Sequence, residues 1–197
     1  LADARFTRHP LMNYIFAVVF FAWVGTEMVL SSKLRASRKE AGNHDRRTLV
    51  VIWFTTVSSI GVAALIAYFT DFPIVRVAEF RYVGIAVILI GMLLRIVSIV
   101  TLGRFFTYNV AIREGHALIT RGAYRWVRHP AYTGLLVSFL GYGLALNNRV
   151  SLAVAFLPVL CVMIRRIKIE EAALASEFGE VYAEYRRHSR RLLPWIY

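Results

Sequence analysis

The chain has 197 residues, of which 58% are hydrophobic and only 18% are charged, with a formal net charge of +12. So apolar a composition excludes an ordinary soluble domain and indicates a membrane protein with several helical spans. The basic excess does not indicate nucleic-acid binding, because no base-stacking motif accompanies it. The single cysteine excludes an internal disulfide, and the five histidines lack the spacing of metal ligands. We therefore expect neither a metal nor a nucleic acid as a partner.

Apolar runs of about the length that a bilayer requires recur along the chain. They predict an all-α fold: a polytopic membrane bundle of about five transmembrane helices within a single domain, 1–197. The predicted spans are about 11–31, 49–69, 82–102, 130–146 and 150–165. The fourth span is short, at about 25 Å for a rise of 1.5 Å per residue. It should form a tight hairpin with the fifth through Asn147, Asn148 and Arg149.

A charge lies inside the third predicted span. Arg95 is surrounded in sequence by apolar residues, and an intramembrane charge is costly enough to require a partner or a polar cavity. Glu27 in the first span is a candidate partner. The alternative is that the Arg95 side chain snorkels towards the membrane surface.

The distribution of basic residues predicts the orientation of the bundle. With five spans, the loop after the first span, a re-entry loop (103–129) and the C-terminal tail share one side. That side carries 18 of the 24 Lys and Arg residues, whereas the opposite side carries five. Since basic residues collect in cytoplasmic loops, the re-entry loop and the tail should be cytoplasmic.

Beyond the fifth span the helix should continue as an amphipathic helix. A stripe recurs every four residues in this segment, formed by Arg166, Glu170, Leu174, Phe178 and Tyr182. Gly179 should loosen the helix, and the basic cluster 186–191 suits anionic lipid head groups.

Two polar groups in this sequence can carry chemistry. Arg166 and Glu170 are four residues apart, and they could form a simple intrahelical ion pair or hold a substrate carboxylate at the membrane surface. His129 could be a base, a ligand donor or only the first residue of a helix. Tyr124 and Tyr132 flank it, at a helix start whose free N–H groups favour an anion.

Three motifs, in this order, resemble the isoprenylcysteine carboxyl methyltransferase family. They are GAYRWVRHPAYTG (122–134) before a short apolar hairpin, RxxxEExxLxxxFGxxYxxY (166–185), and a terminal Pro194. The C-terminal region of that family is similar to phospholipid methyltransferases and membrane sterol reductases.

The resemblance implies an enzyme that uses S-adenosyl-L-methionine to methylate the C-terminal carboxylate of a prenylated cysteine, leaving S-adenosyl-L-homocysteine. Its partners would be the lipid bilayer and the prenylcysteine substrate. Arg166 and Glu170 would be catalytic, with Arg166 on the substrate carboxylate and Glu170 on the cofactor. The cofactor-binding parts would be 103–132 and 166–194. The other cofactor-binding residues implied are His116, Ala117, Leu118, Ile119, Tyr124, His129, Pro130, Ala131 and Tyr132.

The resemblance also implies a multi-pass membrane protein with its active site facing the cytoplasm, in the cell membrane of a prokaryote or the endoplasmic reticulum of a eukaryote. We expect the prenyl chain to enter between the third span and the hairpin. Three other functions compete with this one. An amine methyltransferase acting on phosphatidylethanolamine would need a group that accepts an ammonium, for which Arg166 has the wrong sign. A sterol-type reductase predicts nicotinamide binding, and a non-enzymatic membrane protein leaves the two polar groups unexplained.

Overall fold

The structure is a computed structural model that describes residues 10–33, 43–106 and 118–192. These residues form five α-helices and two short 3₁₀ turns. The helices are α1 (Pro10–Lys33), α2 (Asn43–Phe69), α3 (Phe80–Leu102), α4 (Pro130–Ala145) and α5 (Arg149–His188). One isolated β-bridge is also present. The expected all-α membrane bundle is confirmed.

Four of the helices, α1, α2, α3 and α5, are long and apolar enough to cross a membrane. The remaining helix, α4, has only 16 residues. Its length of about 24 Å is less than the thickness of a bilayer core. Twelve of its residues are buried. Helix α4 is therefore the centre of the bundle, in contact with protein on most sides, and it is slightly shorter than predicted.

Helices α3 and α4 pack with their backbones in contact. A Cβ atom placed on Gly84 would lie 2.2 Å from the Ala145 nitrogen, and one on Gly141 would lie 2.5 Å from the Ile88 nitrogen. Small residues allow this approach, which is common between membrane helices. The expected entry of a prenyl chain between the third span and the hairpin is therefore wrong for the α3–α4 boundary, because this seam has no width for a lipid tail.

Aromatic side chains attach α1 to the other side of α4. Trp23 packs edge-on against Phe139 with ring centroids 4.9 Å apart, and Phe20 lies 5.5 Å from the ring of Tyr142. The Tyr142 hydroxyl in turn donates a hydrogen bond of 3.0 Å to the carbonyl of Ile60 in α2. Large rings supply much of the buried area, and the single hydroxyl is satisfied. Helix α4 is thus fixed to both α1 and α2.

Arg95 is buried, and its guanidinium makes three contacts. It forms an ion pair with Glu27, donates 2.8 Å to Glu27 Oε2 and donates 2.9 Å to the carbonyl of Ala131. The expected partner Glu27 is confirmed, and the snorkelling alternative is wrong. Because Ala131 is in the first turn of α4, this charge joins α1, α3 and the start of α4.

The predicted hairpin turn between α4 and α5 is present. Asn147 adopts a positive φ of 49°, a conformation that asparagine tolerates better than most residues. Asn148 caps α5, since its Oδ1 accepts hydrogen bonds of 3.0 Å from the amides of Val150 and Ser151. The two asparagines therefore set where α5 begins.

Helix α5 is 40 residues long in total. It extends well past its apolar part, which ends near residue 165. Its backbone leaves helical angles at Gly179, with φ 49° and ψ −123°, a conformation that glycine adopts without steric cost. The predicted loosening at this glycine is confirmed.

We predict that Gly141→Ala lowers the free energy of unfolding by about 1–3 kcal/mol, the usual cost of overpacking, because its methyl group would collide with the α3 backbone. The midpoint of thermal unfolding in detergent should fall by roughly 2–4 °C for each kcal/mol. Gly61→Ala is the matched control, since a Cβ there meets nothing within 4 Å. An equal midpoint for both variants would contradict the tight α3–α4 seam.

Candidate active site

The segment before α4 pairs with a segment near the C-terminus of the chain. The C-terminal arm (189–192) pairs in parallel with the segment 126–129, which we call the pre-helix segment. Arg128 N donates 2.7 Å to the carbonyl of Arg190, and Arg190 N donates 3.0 Å to the carbonyl of Trp126. These backbone bonds fix the residues that lead directly into α4.

A single buried carboxylate ties the pre-helix segment to the C-terminal arm. Glu171 Oε1 accepts 2.8 Å from Arg128 Nε, and Oε2 accepts 2.8 Å from Arg191 Nε. His129 Nε2 lies 3.5 Å from Oε1. We call Glu171, Arg128 and Arg191 the Glu171 clamp. It gathers α5, the arm and the start of α4 around one negative charge.

The environment of Glu171 favours its ionised form. Burial alone would raise the pKa of this carboxyl, but the adjacent His129 imidazole and the hydrogen bonds from Arg128 and Arg191 outweigh burial and lower the pKa to about 2. A lowered pKa stabilises the fold above the ordinary pKa of 4.5, and this contribution is lost as the pH falls towards 2. Glu171 therefore carries its charge throughout the physiological pH range.

The other ring nitrogen of His129, Nδ1, points towards a second group of side chains. His129 Nδ1 lies 3.8 Å from Glu170 Oε2, and the imidazole stacks on the ring of Tyr132 with centroids 5.7 Å apart and planes at 20°. The Tyr132 side chain is within hydrogen-bonding reach of both Arg166 and Glu170. A cation, a carboxylate, an imidazole and a phenol therefore meet at one end of the hairpin.

Tyr124 closes this group from the re-entry loop. It lies in the 3₁₀ turn Gly122–Arg125, it is buried, and its backbone carbonyl accepts 2.6 Å from the Tyr185 hydroxyl. Burial, followed by the charge of Glu170, raises the pKa of the Tyr124 phenol far above its usual value. The phenol is therefore neutral, and it lies close enough to Glu170 to be affected by the charge of that carboxylate.

The structure brings together most of the residues that the sequence singled out. Tyr124, His129, Tyr132, Arg166 and Glu170 form one cluster, which we call the RHEY cluster. Pro130 and Ala131 are buried in the first turn of α4. Leu118 and Ile119 are half-buried in the segment leading to the 3₁₀ turn. His116 and Ala117 lie outside the described residues, so their assignment stays a prediction, as does the role of every residue in the cluster.

The clamp was not predicted from the sequence. Glu170 was expected to have a role and its neighbour Glu171 was not, although the two acids occur together. Adjacent positions on a helix point about 100° apart, so the pair faces two directions. Glu170 faces the RHEY cluster, whereas Glu171 faces Arg128 and Arg191. The excess of arginine at the end of the chain was the available signal for a carboxylate partner.

The fold and the site together define an integral membrane protein with a candidate active site at one end of a buried helical hairpin. The sequence profile of the isoprenylcysteine carboxyl methyltransferase family matches residues 83–176. The probable protein-S-isoprenylcysteine O-methyltransferase of Oryza sativa subsp. indica is 31% identical over 189 residues, covering 93% of this chain and 96% of that protein. Protein-S-isoprenylcysteine O-methyltransferase A of Arabidopsis thaliana is 39% identical over 116 residues, 57% of this chain and 58% of that one.

A solved structure of a member of this family is also similar to the chain. The eukaryotic intramembrane Ras methyltransferase, an isoprenylcysteine carboxyl methyltransferase, superposes with a TM-score of 0.64 at 25% identity. The match covers 92% of this chain and 64% of the solved one. This chain belongs to the isoprenylcysteine carboxyl methyltransferase family, and the enzyme class expected from the sequence, a methyltransferase, is confirmed.

We predict that Glu171→Gln releases the C-terminal arm. Removing one partner of a buried ion pair leaves the other charges uncompensated and costs about 3–5 kcal/mol. Hydrogen exchange at the amides of Arg128, His129 and Arg190, which bond across the bridge, should become much faster.

Glu184→Gln is the matched control for this change. Glu184 also pairs with an arginine, Arg187, but both side chains are exposed, and a surface pair contributes about 0–1 kcal/mol. The control should leave exchange at the bridge unchanged. If both variants exchanged alike, the clamp would not be what holds the arm.

Proposed function

We propose that the protein transfers a methyl group from S-adenosylmethionine to the C-terminal carboxylate of a prenylated cysteine, at the cytoplasmic surface of the membrane. The observation that carries the proposal is the RHEY cluster, in which the buried guanidinium of Arg166 lies close to a carboxylate and a phenol. The relatives named above support the substrate class, and the basic residues of the loop and tail support the cytoplasmic orientation.

The residues of the cluster fit S-adenosylmethionine, which the family implies. Glu170 Oε2 is buried and finds no hydrogen-bond partner among the described residues, and leaving such an atom unpaired costs free energy. An ammonium or hydroxyl group of the cofactor would satisfy it. The neutral ring of Tyr124 and the stacked rings of His129 and Tyr132 offer flat surfaces nearby. When bound, S-adenosylmethionine supplies an electrophilic methyl group on a sulfonium centre.

Arg166 would hold the acceptor. A C-terminal carboxylate has a pKa of about 3.5, so it is already ionised at neutral pH and needs no general base. The planar guanidinium can bind it through two parallel hydrogen bonds and fix the direction of its oxygens. Because Arg166 is only 2% exposed, water is largely kept away from its charge. The principal contribution of the protein is then positioning of the two reactants.

Tyr132 and Glu170 would orient Arg166. The phenol lies within reach of both charged groups, so it can donate to the carboxylate and accept from the guanidinium. This arrangement also weighs against methylation of an amine, because the group that would hold the acceptor, Arg166, is a cation. A sterol-type reductase gains no support from the relatives, which are named as methyltransferases.

We predict that the two charged residues divide the work. Arg166→Ala should abolish turnover, a loss on the order of 10²–10³-fold or more, yet largely preserve binding of S-adenosylhomocysteine. Glu170→Ala should weaken both. Calorimetric titration of S-adenosylhomocysteine and single-turnover methylation measure the two effects.

Two further variants serve as controls for this experiment. Arg166→Lys keeps the buried charge but loses the guanidinium fork, so it should fold and still turn over poorly. Arg165→Ala removes an exposed arginine beside it and should have wild-type values. Equal losses of cofactor affinity in Arg166→Ala and Glu170→Ala would refute the division of roles.

The substrate class is tested by giving the purified protein labelled S-adenosylmethionine with one of two acceptors. We expect a base-labile methyl ester on a farnesylcysteine analogue and no label on phosphatidylethanolamine. Label on the amine lipid alone would overturn the proposal in favour of a phospholipid methyltransferase.

A further inference from the structure

An open hollow of about 530 Å³ lies where the last turns of α5, the C-terminal arm and the pre-helix segment meet. Five of the seven residues that line it are arginines: Arg128, Arg186, Arg187, Arg190 and Arg191. The other two are Ala183 and Ser189. We call this feature the arginine hollow.

The described residues compensate only part of the charge in the arginine hollow. None of its lining residues is acidic. Glu171 lies behind the surface and holds Arg128 and Arg191, while the exposed Glu184 pairs with Arg187. Within the described part of the chain, the five guanidinium groups therefore share two carboxylates. Such a concentration of positive charge in a concave surface attracts an anion.

The hollow is separate from the RHEY cluster, although the two are neighbours. The residues that line the hollow and those of the RHEY cluster do not overlap, and Glu171 links the two sites, because it contacts Arg128 and Arg191 of the hollow and His129 of the cluster. Arg186 in the last turn of α5 and Arg190 in the C-terminal arm are exposed, and neither side chain takes part in the clamp or in the proposed chemistry.

The position of the hollow indicates the kind of anion. Arg128 is two residues before Pro130, where α4 begins, and the neighbouring Trp126 is exposed, as aromatic residues at a membrane surface are. The hollow therefore opens at the level of the lipid head groups. Guanidinium forks match the oxygens of a phosphate group, and a negatively charged leaflet concentrates phosphate there.

We infer that the arginine hollow is a binding site for the phosphate group of an anionic phospholipid, next to the active site and on the same side of the membrane. It is a site additional to those for the methyl donor and the acceptor. Because its Arg128 and Arg191 also hold Glu171, a lipid bound there contacts the residues that fix the pre-helix segment.

The test is a calorimetric titration of short-chain dioctanoyl phosphatidic acid into the full chain in a neutral detergent. Dioctanoyl phosphatidylcholine and inorganic phosphate are titrated in parallel. The double variant Arg186→Gln/Arg190→Gln should weaken phosphatidic acid binding by roughly fivefold for each arginine, about 25-fold in all. Arg165→Gln/Lys168→Gln is the matched control, since it removes the same charge from exposed positions of α5 outside the hollow.

Saturable binding of phosphatidic acid that is lost only in the hollow variant supports the inference. Equal losses in the two double variants would overturn it, since the attraction would then be a general surface charge. Equally tight binding of inorganic phosphate would assign the hollow to a soluble phosphate compound and overturn the lipid assignment. Competition between phosphatidic acid and S-adenosylhomocysteine would place the hollow in the cofactor site and likewise overturn it. None of these outcomes depends on the proposed acceptor.

Discussion

The arrangement of the site depends on the ionised carboxylate of Glu171. Arg128 of the pre-helix segment lies 43 residues before Glu171 in the sequence, and Arg191 of the C-terminal arm lies 20 residues after it. Two arginines and one histidine converge on this carboxylate, and burial strengthens their attraction as long as each partner is present. His129 consequently lies between two acids, Glu171 of the clamp and Glu170 of the RHEY cluster.

The rest of the bundle explains why α4 can carry buried polar groups. Glycines bring α3 against its backbone, aromatic rings of α1 cover another side, and the Arg95–Glu27 pair binds the carbonyl of Ala131. A short, enclosed helix of this kind is rigid because its neighbours cannot move apart without losing close contacts. The first turn of α4 thereby gives Tyr132 a fixed position opposite Arg166.

Much of this structure could be predicted from sequence because its signals are local. Apolar runs marked the helices, the two asparagines marked the hairpin, and Gly179 marked the break in α5. The Arg95–Glu27 pair was predictable for a physical reason: a lone charge in a membrane needs a partner, and few acids were available. The RHEY cluster followed from one assumption, that the hairpin returns the chain to the side it left.

The parts that could not be predicted depend on packing between distant segments. Nothing local distinguishes Glu171 from Glu170, and only the rotation of α5 decides which acid faces which partner. The pairing of the C-terminal arm with the pre-helix segment joins residues about 60 positions apart through backbone groups, which carry no sequence signal. The closed seam between α3 and α4 likewise depends on glycines whose spacing matches only once the helices are docked.

The break at Gly179 has a consequence for how the chain length is constrained. From this residue the last part of α5 runs helically to His188, and the arm follows immediately. Each residue added to or removed from this stretch would turn the arm by about 100° and shift it by 1.5 Å along the axis. The number of residues in this segment, more than their identity, therefore determines whether Arg190 and Arg191 lie in register with their partners.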